Sequence, residues 1–292
     1  MSEYVLENDQ LKVTVSSHGC EMISVIRKSD NRECMWDANP AAWKRHSPVL
    51  FPHIGVYSEN QMRYEGTVYQ SSQHGFARDM EFELDVHNDH ELFMSLHETE
   101  DTLRSYPFHF KLTCGYELHG NEVRVIWKVE NTNKKEMYFS IGGHPAFACP
   151  DGKNSFEGCE LQFDTEADAI HYGLLNDDGL VIEGDHQIKL NHHRCQIKND
   201  MFDTSAYVVE NSQTNQVSIL ERGKAFITVR FDAPVFGLWS PAGKNLPFLC
   251  IEPWYGRADR DTFSGELKDR EWGNQLAAGE TFERSYEIVF ED

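Results

Sequence analysis

The chain has 292 residues, with 48 acidic against 27 basic side chains and a net charge of −21 at neutral pH. A surface of that sign repels nucleic acid and anionic membranes, so neither is expected as a partner. Apolar residues make up 40% of the chain, enough for a sizeable core, and no apolar run approaches the ~20 residues of a membrane span.

The opening MSEYVLENDQ has neither a basic n-region nor an apolar h-region, so a secretory signal is not expected and a reducing cytoplasm is the expected compartment. The seven cysteines are scattered and form no C-x-x-C pair, which points to neither a zinc nor a disulfide framework.

Strand signals then dominate in chain order. LKVTVSS (11–17), MEFELDV (80–86), LFMSLHE (92–98) and NEVRVIWKVEN (121–131) alternate apolar and polar residues. The stretch 111–131 reads as a hairpin around His119-Gly120-Asn121. EMYFSI (136–141), QVSIL (216–220), AFITVRF (225–231), VFGLWS (235–240), FLCIE (248–252) and TFERSYEIVF (281–290) complete the series. Helical patterns are confined to short stretches around 101–105 and 266–277. With no linker, repeat or low-complexity segment, this predicts an all-β chain: one antiparallel β-sandwich domain over 1–292.

Three stretches carry residues suited to chemistry. In SIGGHPAFACP (140–150), two glycines and a proline bracket His144. The glycines permit positive φ or close backbone approach, and Pro145 biases His144 to an extended conformation. A side chain held this way loses little entropy on binding; an ordinary tight turn is the alternative. QHGFARD (73–79) places His74 before a glycine and close to Arg78 and Asp79. In IEPWYGRADR (251–260), Glu252 ends an apolar run that Pro253 is expected to break, so burial should raise its pKa toward that of a neutral-pH base. Trp254 and Tyr255 offer flat faces of the kind sugars stack on. No H-E-x-x-H is present, and the adjacent His192-His193 would point to opposite faces of a strand, so no metal is expected. No G-x-S-x-G, G-x-G-x-x-G or P-loop is present, which leaves serine hydrolase chemistry and a nucleotide cofactor without support.

Taken together and in order, WKRHSPVLFPHIG (43–55), QHGFARDMEFE (73–83), GGHPAFACP (142–150), LWSPAGKNLPFLCIEPWYGRADR (238–260) and EWGNQLAAGETFE (271–283) resemble the aldose 1-epimerase (galactose mutarotase) superfamily. The similarity is strongest to its LacX-like bacterial branch. The resemblance implies a large twisted β-sandwich, no cofactor, and interconversion of the α and β anomers of a free monosaccharide. It places the family's paired histidines on His74 and His144 and its glutamate on Glu252. Mutarotation needs a base at O1–H and an acid at the ring oxygen O5, which a carboxylate and an imidazolium satisfy when their environments separate their protonation states. The expected roles are Glu252 as base, His144 as acid and His74 as a hydrogen-bonding partner of O5 or a neighbouring hydroxyl. Arg78, Trp254 and Tyr255 are expected to bind the sugar, with Arg45, His53, Asp203 and Arg257 as further candidates.

Two departures from the family pattern bear on substrate. Val56 stands where many relatives carry an arginine, and Thr204-Ser205-Ala206 replaces their Asn-Asp-Ala. His53 is a candidate replacement donor. Two other readings on the same fold stay open: a hexose-6-phosphate 1-epimerase, drawing on Arg45, Arg78, Lys244, Arg257 and Arg260, and a non-catalytic carbohydrate-binding protein. The oligomeric state is open, with a homodimer allowed.

Overall fold

A computed structural model describes residues 1–150 and 153–291. Its largest sheet has nine antiparallel strands, in spatial order Arg194–Gln196, Glu160–Phe163, Gln216–Glu221, Lys224–Phe231, Thr281–Phe290, Glu122–Asn131, Phe110–His119, Glu91–His97 and Glu83–His87. An eight-stranded sheet runs Val181–Lys189, Ala169–Leu175, Tyr207–Val209, Val235–Trp239, Phe248–Tyr255, Ile141–Gly143 and Val49–Leu50, and Ala146–Ala148 also pairs with Phe248–Tyr255. Leu112, Val125 and Ile288 of the first sheet share one core with Phe236, Leu249 and Ile251 of the second. The architecture is therefore the predicted β-sandwich, flanked by a four-stranded sheet drawn from residues 3–33 and by two small ribbons.

The alternation explains this packing. In Glu122–Asn131, Val123, Val125, Trp127 and Val129 all turn to the core while Arg124, Lys128 and Glu130 turn away. Each fully buried side chain of this size contributes about 1.5–3 kcal/mol. The predicted hairpin forms with His119 opposite Glu122, and Gly120 supplies the φ of +60° that the turn needs.

Three local expectations are corrected. The helix at Glu100–Ser105 forms, closed by a Thr99/Thr102 capping box, but 266–277 is not helical. It holds a single 3-10 turn, Leu267–Asp269, and then the strand Asn274–Leu276 paired with Met137–Phe139. Trp272 at φ +62° interrupts any helix there. Pro253 does not end its strand, which continues to Tyr255. It falls in the gap between the pairs Gly142–Trp254 and Ala146–Cys250, where the ladder on that side tolerates a missing N–H. EMYFSI divides into Met137–Phe139 and Ile141–Gly143, which belong to different sheets. No helix among the described residues is long and apolar enough to cross a membrane.

Candidate active site

Period-two geometry decides what the strand Phe248–Tyr255 presents. Leu249, Ile251 and Tyr255 enter the main core. Cys250, Glu252 and Trp254 face the opposite way, toward two smaller clusters lined with Trp36, Trp43 and Ala146 on one side and Ile54, Val208 and Ala258 on the other. Glu252 thus lies mid-strand, 1% exposed, at the floor of a cavity of about 320 Å³.

The glycines before His144 act through close approach. A Cβ on Gly142 would lie 2.6 Å from Trp254 Cδ1 and 2.9 Å from the Pro253 carbonyl, and one on Gly143 would lie 2.8 Å from Tyr286 Oη. Bare backbone at Gly142 lets the strand Ile141–Gly143, which ends just before His144, press against the strand bearing Glu252. The His144 N–H donates to the Pro48 carbonyl at 3.1 Å, and Trp43 stacks on its ring at 4.7 Å between centroids while Trp239 meets it edge-on at 5.4 Å. His144 Nε2 then lies 3.2 Å from Glu252 Oε2. The contact lacks hydrogen-bond alignment, and Glu252 Oε2 is a buried oxygen without a hydrogen-bond partner.

His74 is held differently. It adopts φ +65°, a strained conformation for a residue with a Cβ. A reciprocal pair of bonds to Gly55 fixes it: His74 N–H donates to the Gly55 carbonyl at 2.7 Å, and Gly55 N–H donates to His74 Nδ1 at 3.0 Å. Because Nδ1 accepts, the proton of the neutral ring sits on Nε2, making His74 a fixed donor. Its ring meets that of His144 edge-on at 5.8 Å.

Burial sets the protonation states. It pushes the Glu252 carboxyl well above the usual range, opposed only in part by the nearby Trp254 indole N–H. It holds His144 down to about 3, reinforced by the Arg78 and Arg45 charges, and holds His74 well below its usual value, reinforced by His144 and Arg78. In the unliganded site burial therefore favours the protonated carboxyl and the neutral imidazoles.

Of the remaining predicted residues, Arg78 and Trp254 line the cavity. Arg78 donates to the Gln73 carbonyl at 2.6 Å, its Nε is buried without a hydrogen-bond partner at 3.8 Å from Asp79 Oδ2, and desolvation with the neighbouring Arg45 lowers its pKa to about 10. The other five stand outside the walls. Tyr255 points into the core and its hydroxyl bonds Asp232. His53 lies behind the cavity, its Nε2 bonded to the Ser72 carbonyl at 2.8 Å and its ring against Tyr57. Arg45 pairs with Asp79 at 2.8 Å, Asp203 accepts from the Gly243 N–H at 2.8 Å, and Arg257 is buried against Glu210 at 2.6 Å. His53 therefore does not replace the family arginine at Val56. Trp43, Trp239 and Gln73 also line the cavity; all three fall in the motif stretches, where nothing singles them out.

One further grouping was also invisible in the sequence. His144, Cys250 and Glu252 each offer a ligand atom, all within 4.8 Å of one another. This donor set suits a thiophilic cation such as zinc, which would occupy the same imidazole and carboxylate that face the cavity.

Residues 2–288 match the family described as Aldose 1-epimerase. The chain belongs to the aldose 1-epimerase family. It is 27% identical over 300 residues to protein LacX of Lactococcus lactis subsp. lactis, covering 97% of this chain and 98% of that one. The galactose mutarotase related enzyme from Lactobacillus acidophilus superposes with a TM-score of 0.92 at 32% identity, covering 100% of this chain and 98% of its own. A galactose mutarotase-like protein from Lactobacillus casei ATCC 334 superposes at 0.91 with 26% identity, covering 99% and 100%. Membership of this family supports a mutarotase-type role for the chain.

Proposed function

We propose that the protein is a cofactor-free aldose 1-epimerase acting on an unphosphorylated monosaccharide, with Glu252 and His144 as the acid–base pair and His74 as a neutral donor to the sugar. The observation that carries this reading is the unpartnered Glu252 Oε2, 3.2 Å from His144 Nε2 at the floor of a monosaccharide-sized cavity. A buried polar atom left unsatisfied costs stability, and a site that needs it is the usual reason to retain it.

The pair holds one proton between its two members. As carboxylate and imidazolium, Glu252 takes the O1 proton while His144 gives its proton to O5; the C1–O5 bond breaks and the C1=O1 bond forms. The pair is then a carboxylic acid and a neutral imidazole, the distribution that burial favours in the empty cavity. Because burial favours the neutral pair in the empty cavity, the carboxylate–imidazolium form is reached when sugar hydroxyls give the pair polar partners, and ring opening returns the pair to its neutral form. Rotation about C1–C2 exposes the other face, and both transfers reverse on closure. The His74 Nε2–H supplies a fixed hydrogen bond to oxygen as charge shifts at the ring. Trp43 and Trp239 hold the His144 ring and keep water from it.

An unphosphorylated sugar is favoured over a hexose 6-phosphate by the cations. Among the described residues, Arg78 is the one cationic side chain in the cavity wall, while Arg257 and Arg260 are paired with Glu210 and Glu271. A phosphate dianion needs a cluster of free donors. NMR exchange between anomers across a panel of aldoses and their 6-phosphates tests the reading. Catalysed exchange that E252Q lowers by about 10²–10⁴-fold supports it. Sugar binding with no acceleration of exchange would favour a carbohydrate-binding role instead.

A further inference from the structure

The cavity has two unlike walls. One carries Gln73, His74, Arg78, His144 and Glu252. The other is built from Ile54, Leu175, Ala206, Val208, Ala258 and the face of Trp254. All six of these side chains are apolar over the surface they offer, and four of them pack as one cluster with Leu50, Val181 and Val235 behind.

The polar groups near this second wall are turned elsewhere. Ser205 is adjacent to the lining residue Ala206, yet its hydroxyl accepts the Leu175 N–H at 2.9 Å. Val56 lies behind Gly179, whose absent Cβ would be 3.4 Å from it, and does not reach the cavity. Arg257 and Arg260 are held by Glu210 and Glu271. With O1 at Glu252 and O5 at the two histidines, the polar side-chain groups left on the lining to read the hydroxyls at carbons 2, 3, 4 and 6 are Gln73, Arg78 and the indoles of Trp43 and Trp239, none of which belongs to the second wall. A hydroxyl pressed on the second wall gives up its water and gains no partner, whereas a C–H or methyl group there gains contact.

We infer that the site selects a deoxyaldose, a monosaccharide in which the substituent meeting the Leu175–Ala206–Val208 wall is hydrogen or methyl in place of a hydroxyl or hydroxymethyl. This rests on the proposed function, since it places the reducing end of a sugar at Glu252 and the histidines. A hydrophobic wall rejects an added hydroxyl modestly, so the preference is on the order of tenfold to a hundredfold.

The test is equilibrium binding, which does not depend on turnover. Calorimetry on the intact protein compares 2-deoxyglucose with glucose, 3-deoxyglucose with glucose, fucose with galactose, and 6-deoxyglucose with glucose. The expected result is one deoxy position at which binding is at least about tenfold tighter than for the parent sugar. Ala206→Ser and Val208→Thr, which place a hydroxyl on the wall with little change of volume, should cut that ratio severalfold while leaving the other pairs unaltered. Parent sugars binding as tightly as every deoxy partner, or a ratio that neither variant moves, would overturn the inference. Anomer exchange measured on the same sugars reports separately: tight deoxy-sugar binding with no exchange would refute the catalytic reading and leave the specificity standing, and exchange with hydroxylated sugars preferred would do the reverse.

Discussion

The ionisable groups around the strand Phe248–Tyr255 fall into two sets that are treated in opposite ways. Beyond the strand Phe248–Tyr255, Arg270 meets Asp259 at 2.6 Å, Arg257 meets Glu210 at 2.6 Å, and Arg260 bridges Glu210 and Glu271 at 3.1 and 2.9 Å. Burial would raise the Glu210 carboxyl, but bonds from Arg257 and the Trp272 indole outweigh it and the group is held low. On the strand itself Glu252 has no such partner and is driven the other way. Paired charges there brace the polypeptide that follows the strand. The unpaired carboxyl is kept ready to exchange a proton. The contrast separates a structural acid from a reactive one more sharply than burial does, because Asp259 and Glu252 are both almost wholly enclosed.

Four measurements would break or sharpen that contrast. The largest effect is expected at Glu252. E252Q should lose about 10²–10⁴-fold in anomer exchange while keeping its urea midpoint or raising it, because an isosteric neutral amide replaces an unpaired acid. A marked loss of stability instead would make Glu252 a structural residue. At the other cluster the balance reverses. R270A should cost about 3–5 kcal/mol in urea unfolding, since it strands Asp259 in the interior. A change below about 1 kcal/mol would show that the pair is not what braces this region.

The third measurement uses pH. The His144 pKa is held down to about 3 in the folded protein against 6.5 in an unfolded chain. Between those values the unfolded state binds the extra proton, so stability rises with pH across that window and is lost as pH falls from about 6.5 toward 3. His53 and His74 are held down by the same burial and add to this window, so H144Q should reduce the slope of melting temperature against pH by part, and an unchanged slope would assign it to those other groups. The smallest effect is expected at Tyr255. Y255F removes the bond to Asp232 and should cost about 1 kcal/mol of stability with sugar affinity within about twofold of the parent. A large loss of affinity would return Tyr255 to the cavity wall.

The reach of the sequence follows the range of the interactions that fix each feature. Strand alternation and the His119-Gly120-Asn121 turn are local, so the β class and the central hairpin were legible, as was the isolation of His144 between glycines and a proline. The segment Ala169–Leu175 was not. Its alternation is broken by Gly173 and a register shift between Tyr172 and Leu174, so nothing periodic marks it. Tyr255 was misjudged because Pro253 reads as a strand end; once the strand continues, period two sends Trp254 to the cavity and Tyr255 to the core.

By itself the sequence determined the element types and, through its resemblance to a known family, the three residues worth placing together. Tertiary structure alone decided what they can do. Trp43, His74, His144 and the pair Trp239 and Glu252 come from four separate parts of the chain, and no local pattern records that Trp43 stacks on His144 or that Gly55 consumes the lone pair of His74. The protonation states depend on desolvation, which is a property of everything packed around a group and not of its neighbours in sequence. The same holds for the apolar wall, whose composition is ordinary residue by residue and acquires meaning only where it lines the same cavity as Glu252.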